Sequence, residues 1–279
     1  MDLSILPVRT AGAAEHMAVD FLLLQRWPGP VVPRFRHYEW RGPAFTFGYS
    51  QKIAFIRGEL PVAEGVRFDL CRRPTGGGLV DHRADWTYAL VIPRGHPLEE
   101  VRATESYRRV HAAIAEALQA QGVKAKLATE VAAARDHPVL PVKLLRRGPN
   151  ADGPSAAGGH APPRSDEALV RTNKAAVGSN EALVCFERAE VHDVVGAGGA
   201  KIAGAAQKRT KHGLLFQGSI SRPAAGAAVD WERFEADFTS RLARELGGTA
   251  QPAGWPEFQE DEVDGLAEQY AAPEWTEAR

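Results

Sequence analysis

Three stretches of this chain place apolar residues at the three- and four-residue spacing of an α-helix. The first covers residues 10–27. The second follows Thr104, which we expect to be its N-cap, and ends before Gly122. The third begins at Asp230 and ends at Gly247. The apolar stripes of these helices consist of Met17, Phe21 and Leu24, then Tyr107, Val110, Ile114 and Leu118, and finally Phe234, Phe238 and Leu242.

Other stretches are rich in β-branched and aromatic residues and are bounded by glycine and proline, which predicts strands. The predicted strands cover residues 34–40, 45–51, 67–73, 85–93, 200–207 and 214–220. The last two are expected to pair around a polar turn at residues 208–213. A chain of 279 residues permits one large α/β domain or two small ones.

Composition narrows the class of protein. Of the 279 residues 44% are hydrophobic and 25% are charged, which is typical of a globular protein that can bury a core. The net charge is −1, so the chain lacks the basic excess that would indicate a nucleic-acid partner. No apolar run approaches the ~18–20 residues of a membrane span, and the N-terminus lacks the pattern of a secretory signal. We therefore expect a cytoplasmic protein with no membrane partner.

One long segment differs from the rest in composition. Residues 146–164 are rich in glycine, proline and alanine and contain almost no large apolar side chain. Such a sequence cannot bury enough surface to order itself, and it is expected to be a flexible insertion.

Two segments carry candidate chemistry. The first, RRPTGGGLVDH, runs from residue 72 to residue 82 and holds three consecutive glycines, Gly76, Gly77 and Gly78. Glycines let a backbone approach a ligand closely and expose N–H groups toward it, although a plain loop would look the same. In the second segment, residues 198–207, Lys201 stands among small residues. Taken alone, it could equally be a solvated lysine on a hairpin.

The chain contains two cysteines, Cys71 and Cys185. Each lies in an apolar run, where an inert packing role is the commoner one. Two cysteines are too few for a disulfide framework, and the nine histidines follow no metal-ligand spacing. We predict no metal and no cofactor.

Together these segments resemble the family of lipoate–protein ligases, biotin–protein ligases and octanoyltransferases. The helix around residues 15–20, the strand–Gly–Gln element WRGPAFTFGYSQ, the RRPTGGGLVDH loop and the lysine hairpin occur in the family's order. The resemblance covers roughly residues 10–222, and an ordered set of motifs is far more specific than any one of them. It implies an α/β (α+β) fold with a mixed central β-sheet flanked by helices, of the biotin/lipoate protein ligase catalytic-domain type.

The branch that the chain resembles most is the cysteine-dependent one, which transfers octanoyl from acyl carrier protein to protein. In that branch a Cys-Phe-acid segment precedes the lysine hairpin, as Cys185 precedes Lys201 here. The resemblance implies that Cys185 carries the acyl-thioester and that Lys201 lowers the pKa of its thiol. It leaves Cys71 as a packing residue. The substrate-binding residues that it implies are Arg73, Gly76, Gly77, Gly78, His82 and Gly204.

The resemblance also implies the partners. The donor is octanoyl-acyl carrier protein, and the acceptor is a lysine of a lipoyl-domain protein, such as the glycine cleavage H protein or the acyltransferase subunit of a 2-oxoacid dehydrogenase. We expect a monomer with a single acyltransferase catalytic domain over residues 1–279, comprising a core at about 10–222 and a C-terminal helical extension at 223–279.

Three alternatives remain. An ATP-dependent lipoate–protein ligase would share the glycine loop and Lys201 but would not need Cys185. An octanoyl amidotransferase acting between lipoyl-domain proteins would use the same cysteine. A non-catalytic binder of lipoyl domains would need neither side chain.

Overall fold

A large mixed β-sheet forms the centre of the molecule. The computed structural model describes residues 1–27, 29–62, 65–130, 188–259 and 261–278. Within them the strands are β1 (Leu3–Ile5), β2 (Arg9–Ala11), β3 (Arg34–Trp40), β4 (Ala44–Phe47), β5 (Asp69–Arg72), β6 (Leu79–Asp81), β7 (Asp85–Pro93), β8 (Lys126–Leu127), β9 (Val194–Val195), β10 (Lys201–Thr210), β11 (Gly213–Ser221) and β12 (Ala250–Pro252). The strand order of the large sheet is β12-β1-β3-β7-β11-β10-β9-β8, and β2 also pairs with β3.

Helices cover both faces of this sheet. In the described residues they are α1 (Ala13–Gln25), α2 (Ile53–Glu59), α3 (Pro97–Glu100), α4 (Ala103–Gln119), α5 (Arg222–Ala225), α6 (Trp231–Glu245), α7 (Glu262–Ala271) and α8 (Pro273–Thr276). Helices α4 and α6 pack on one face and α1 packs on the other, with α7 lying against α1. None of the described helices is long and apolar enough to cross a membrane.

Strand β7 explains why the sheet needs cover on both sides. Its side chains alternate, so that Trp86 and Tyr88 join the core beneath α4 and α6, whereas Ala89 and Val91 join the core beneath α1. A strand buried on both faces reads as a continuous apolar run, as DWTYALVIP does here.

The expected fold class is confirmed, and most of the predicted elements lie where the pattern put them. Strands β3 and β7 have the predicted bounds, and Asp230 caps α6 by accepting a hydrogen bond from the backbone N–H of Arg233. The prediction that Thr104 is an N-cap is wrong, because α4 begins at Ala103 with Arg102 at the cap position and no side-chain cap. The polar turn is also shorter than predicted, since β10 extends to Thr210. The insertion at 146–164 lies outside the described residues.

A second, three-stranded sheet places the glycine loop. Its order is β5-β4-β6, with β4 parallel to β5 and antiparallel to β6. The chain leaves β5 at Arg72 and returns at Leu79, so the loop between them is held at both ends by β4. This loop approaches strands β10 and β11 of the large sheet, where Ala206 and Gln217 lie next to it.

Candidate active site

The glycine loop is held by close backbone contacts that only glycine allows. Gly77 has a φ of +91°, a conformation that side chains disfavour, whereas Gly76 and Gly78 do not share it. A Cβ on Gly48 would lie 1.9 Å from the carbonyl oxygen of Gly77. Gln51 donates a hydrogen bond from Nε2 to the same oxygen at 3.3 Å. The strand–Gly–Gln element of the sequence therefore serves to seat the glycine loop.

Arg73 fastens this loop from inside. Its Nη2 donates hydrogen bonds to the carbonyl oxygens of Gly76 and Gly78, both at 2.9 Å. Its Nη1 donates to Oγ1 of Thr46 at 2.8 Å. The guanidinium is buried, so these bonds also satisfy a charge that would be costly to bury alone.

His82 lies within a hydrogen-bond chain that includes Arg73 and Asp85. Its Nε2 is 2.7 Å from Oγ1 of Thr46, and its Nδ1 is 2.7 Å from Oδ2 of Asp85. The ring stacks on Trp40 at a centroid distance of 4.1 Å. Since both ring nitrogens and one ring face are occupied, the imidazole is fixed in orientation.

Gln217 connects the glycine loop to α1. Its Oε1 accepts a hydrogen bond from Thr75 at 2.7 Å, and its Nε2 donates to Oδ2 of Asp20 at 2.7 Å. Asp20 in turn pairs with Arg36 at 2.6 Å. Neither Gln217 nor Asp20 was predicted to matter, because a buried polar network leaves no periodic signal in the sequence.

A narrow cavity opens between the glycine loop, β10, β11 and α1. Apolar side chains form one part of its wall, and hydroxyl, imidazole and guanidinium groups form another. Its lining residues are Met17, Tyr38, Trp40, Thr46, Arg73, Gly77, Val80, His82, Thr87, Gly204, Ala205, Ala206, Gln217, Gly218 and Ser219. A cavity that is mainly apolar with a few convergent polar groups suits a small acyl or related ligand.

Lys201 lies next to this cavity, at the start of β10. Its side chain is buried and its Nζ lies 2.8 Å from Oδ2 of Asp193. Gly204 is part of the cavity wall and lies in the same strand, not in a turn. A Cβ on Gly204 would lie 2.7 Å from Nζ of Lys201 and 3.0 Å from Oδ1 of Asp193. The absence of a side chain at Gly204 therefore makes room for the ammonium group.

The structure brings most of the predicted site residues together. Arg73, Gly77, His82 and Gly204 line the cavity, and Lys201 contacts its wall. Gly76 and Gly78 belong to the same loop, where their carbonyl oxygens face Arg73. Cys185 lies outside the described residues.

Cys71 is a packing residue, as expected. It is buried between α1 and α7, and burial raises the pKa of its thiol well above the usual value, which leaves it unreactive at neutral pH. Within the described residues, no three His, Cys, Asp or Glu side chains come together in a group that could hold a metal ion.

Comparison with known proteins shows which proteins the chain is similar to. Residues 12–141 match the family model described as the lipoyl protein ligase A/B catalytic domain. Octanoyltransferase LipM of Geobacillus kaustophilus is 30% identical over 210 residues, and octanoyltransferase LipM of Kyrpidia tusciae is 26% identical over 299 residues. The chain is thus similar to the lipoate protein ligase and octanoyltransferase family.

The lengths of the family relatives differ. The match to the Geobacillus protein covers 74% of this chain and 60% of the relative, so the chain spans about three-fifths of that relative. The match to the Kyrpidia protein covers 94% of each.

Solved structures of the family share the fold. A lipoate protein ligase from T. acidophilum with bound lipoic acid superposes with a TM-score of 0.62 at 15% identity and covers 100% of both chains. Lipoate-protein ligase A bound with ATP gives a TM-score of 0.61 at 15% identity and covers 99% of both chains. At this identity the likeness establishes the fold alone.

Proposed function

We propose that this chain is an octanoyltransferase of lipoate biosynthesis. It takes octanoyl from octanoyl-acyl carrier protein and delivers it to a lysine of a lipoyl-domain protein through a thioester on Cys185. The similarity to octanoyltransferases LipM supports the reaction class. The observation that carries the proposal is the buried ammonium of Lys201, held against Gly204 at the wall of a largely apolar cavity.

The reaction is balanced in two steps. The thiolate of Cys185 attacks the thioester carbonyl, a new C–S bond forms, and the carrier leaves as a thiol after taking up a proton. The acceptor amine then attacks the acyl-enzyme, a C–N bond forms, and the C–S bond to Cys185 breaks. The proton lost by the amine ends on the cysteine. Dividing the transfer in this way lets one nucleophile serve two protein partners in turn.

Each group of the cavity has a role in this scheme. The positive charge of Lys201 stabilises the thiolate form of Cys185 and lowers the pKa of the thiol. Backbone N–H groups of the glycine loop are suited to stabilise the oxyanion, because the hydrogen bonds of Arg73 and Gln51 fix the loop before substrate arrives. Met17, Tyr38 and Trp40 provide an apolar wall for the acyl chain.

The test is mass spectrometry of the protein after incubation with octanoyl-acyl carrier protein in the absence of ATP. We expect an adduct of one octanoyl group on Cys185. Cys71→Ala is the matched control and should still form the adduct, whereas Cys185→Ala should not. Addition of a lipoyl-domain protein should discharge the adduct and octanoylate the acceptor lysine.

Two further experiments distinguish the proposed octanoyltransferase from the alternative enzymes. Acceptor modification from free octanoate with ATP, at a rate equal to that from the thioester donor, would identify an ATP-dependent ligase. Faster charging of Cys185 by an octanoylated lipoyl-domain protein than by the acyl carrier would identify an amidotransferase. Full transfer activity in Cys185→Ala would contradict the covalent mechanism.

A further inference from the structure

Asp193 is the residue through which the fold holds Lys201. Its Oδ2 is 2.8 Å from Nζ of Lys201 and also accepts a hydrogen bond from the backbone N–H of Glu190 at 2.8 Å. The backbone N–H of Asp193 returns a hydrogen bond to the carbonyl oxygen of Glu190 at 3.0 Å. The carboxylate is therefore part of a closed turn, and its position is set before any substrate binds.

The same turn is anchored on two sides. Ala128 forms two backbone hydrogen bonds with the turn, both at 2.8 Å. Its carbonyl oxygen accepts from the N–H of His192, and its N–H donates to the carbonyl oxygen of Asp193. From α4, Nδ1 of His111 donates to the carbonyl oxygen of His192 at 2.7 Å. His192 itself has a φ of +72°, a conformation that is uncommon outside glycine. A strained turn with this many anchors fixes where the carboxylate of Asp193 points.

Three of the described groups near the pair are uncharged near pH 7. Burial lowers the pKa of His111, so its ring is neutral near pH 7, and its Nε2 has no hydrogen-bond partner among the described residues. Burial raises the pKa of Tyr107 to about 12 and that of Tyr88 above the usual range, so both hydroxyls stay protonated. Glu190 and His192 are the other titratable residues of this turn. Among the described residues, Asp193 is the acid that forms an ion pair with Lys201.

A lysine that is only 8% exposed would lose free energy as an ammonium if no anion accompanied it. We infer that Asp193 is a positioning residue for the proposed transfer, which keeps Lys201 charged and holds its ammonium against Gly204. This inference rests on the proposed function for its catalytic consequence, but the physical link between the two side chains can be tested without it. An ammonium has three N–H donors, so Lys201 can bond to Asp193 and contact other groups as well.

The first measurement is the protonation state of Lys201. Protein labelled with [ε-¹³C]lysine is titrated by NMR, and the signal of Lys201 is assigned from its loss in Lys201→Arg. In Asp193→Asn, which keeps the shape and one acceptor oxygen, Lys201 should lose its proton about one pH unit or more below the wild-type midpoint. Asp193→Glu should restore the midpoint in part. Glu116→Gln, which removes an exposed acid of α4, is the control and should leave the signal unchanged.

The second measurement is the dependence of octanoyl transfer on pH. An ammonium that is no longer held against Gly204, or that has lost its proton, should stabilise the thiolate less, so the rising limb of the Asp193→Asn profile should move to higher pH, as in Lys201→Ala. Asp193→Asn combined with Lys201→Ala should behave like Lys201→Ala alone, because the acid acts through the lysine. A purely structural acid would lower the rate equally at every pH.

The outcomes are distinct. An unchanged Lys201 titration in Asp193→Asn, or a profile displaced to lower pH, would overturn the inference. If Asp193→Asn does not fold, adding Lys201→Gln should restore folding by removing the unpaired charge, and a failure to do so would also overturn it. If no octanoyl transfer is detected, the NMR titration still tests whether Asp193 keeps Lys201 protonated. Failure of the proposed function can therefore be distinguished from failure of this inference.

Discussion

Two of the buried ion pairs in the described part of the chain differ in how they are satisfied. The side chains of Arg36 and Asp20, on β3 and α1, are at most 1% exposed, and both Nε and Nη2 of Arg36 contact Oδ1 of Asp20. Arg36 also donates to the carbonyl of His16, and Asp20 also accepts from Gln217. The side chains of Lys201 and Asp193 are 5% and 8% exposed, and they form an ion pair beside Gly204.

The difference indicates that the first pair stabilises the fold, whereas the second serves the proposed chemistry. The N–H donors of the Arg36 guanidinium are directed into one rigid hydrogen-bond network, which suits a role in holding β3 and α1 together. The ammonium of Lys201 is a compact charge on a flexible stem, which can respond to a neighbouring group. We therefore expect the first pair to govern unfolding and the second to govern activity. Four predictions test this contrast, beginning with the largest expected effect.

The first prediction concerns the structural pair. Asp20→Asn removes the counter-charge and leaves Arg36 buried without one, which should lower the free energy of unfolding by about 3–5 kcal/mol. Chemical denaturation at neutral pH measures this change. Asp237→Asn, which removes an acid on the partly exposed i,i+4 pair with Arg241, is the control and should cost about 0.5 kcal/mol or less. Equal losses in the two variants would contradict the assigned role of the Arg36 pair.

The second prediction concerns the proposed catalytic pair. Lys201→Ala should reduce octanoyl transfer roughly 10²–10³-fold, as removal of a preorganised charge from a catalytic site commonly does. It should lower the free energy of unfolding less than Asp20→Asn does. The reactivity of Cys185 toward iodoacetamide, measured against pH, should shift to higher pH in this variant. Superimposable titration curves would leave Lys201 as a substrate-binding residue only.

The third prediction uses the glycine that makes room for the lysine. In Gly204→Ala the new Cβ would lie 2.6 Å from Cε of Lys201, so the side chain must move. A displacement of about 1 Å can cost on the order of 10²-fold in rate, and we expect a loss of roughly 10-fold or more. Gly42→Ala, at a position with open space, is the matched control. Comparable transfer rates in the two variants would mean that the position of the ammonium is unimportant.

The fourth prediction concerns acid stability near the structural pair. Burial and the charge of Arg36 lower the pKa of His16 to about 3 from the usual 6.5. Above pH 6.5 His16 is neutral in both the folded and the unfolded state, and its contribution to stability is fully present. As the pH falls from 6.5 toward 3, the unfolded state takes up a proton that the folded state excludes, which costs about 1.4 kcal/mol per pH unit.

The measurement is the free energy of unfolding at several pH values between 6 and 5. The slope in His16→Gln should be smaller than in the wild type by about 1.4 kcal/mol per pH unit. Other buried histidines, including His37, also have lowered pKa values, so some slope should remain. Identical slopes in the two proteins would mean that His16 takes up its proton in the folded state.

Some features of this protein follow from the sequence by itself. The helical stripe ending in Phe234, Phe238 and Leu242 and the continuous apolar run of β7 each require burial, and that requirement determines which elements form and which faces point inward. The glycine triplet and the isolated lysine among small residues could also be recognised from the sequence, because each is a feature of adjacent positions.

Only the tertiary structure decided which distant groups meet. Asp193 lies eight positions before Lys201, within an unremarkable polar stretch, and becomes its partner because a turn and a bulged strand bring them together. Thr75, Gln217 and Asp20 form one hydrogen-bond chain across 197 positions of sequence. Hydrogen bonds and ion pairs depend on distance in space and leave no period along the chain, so no pattern of residues could predict them.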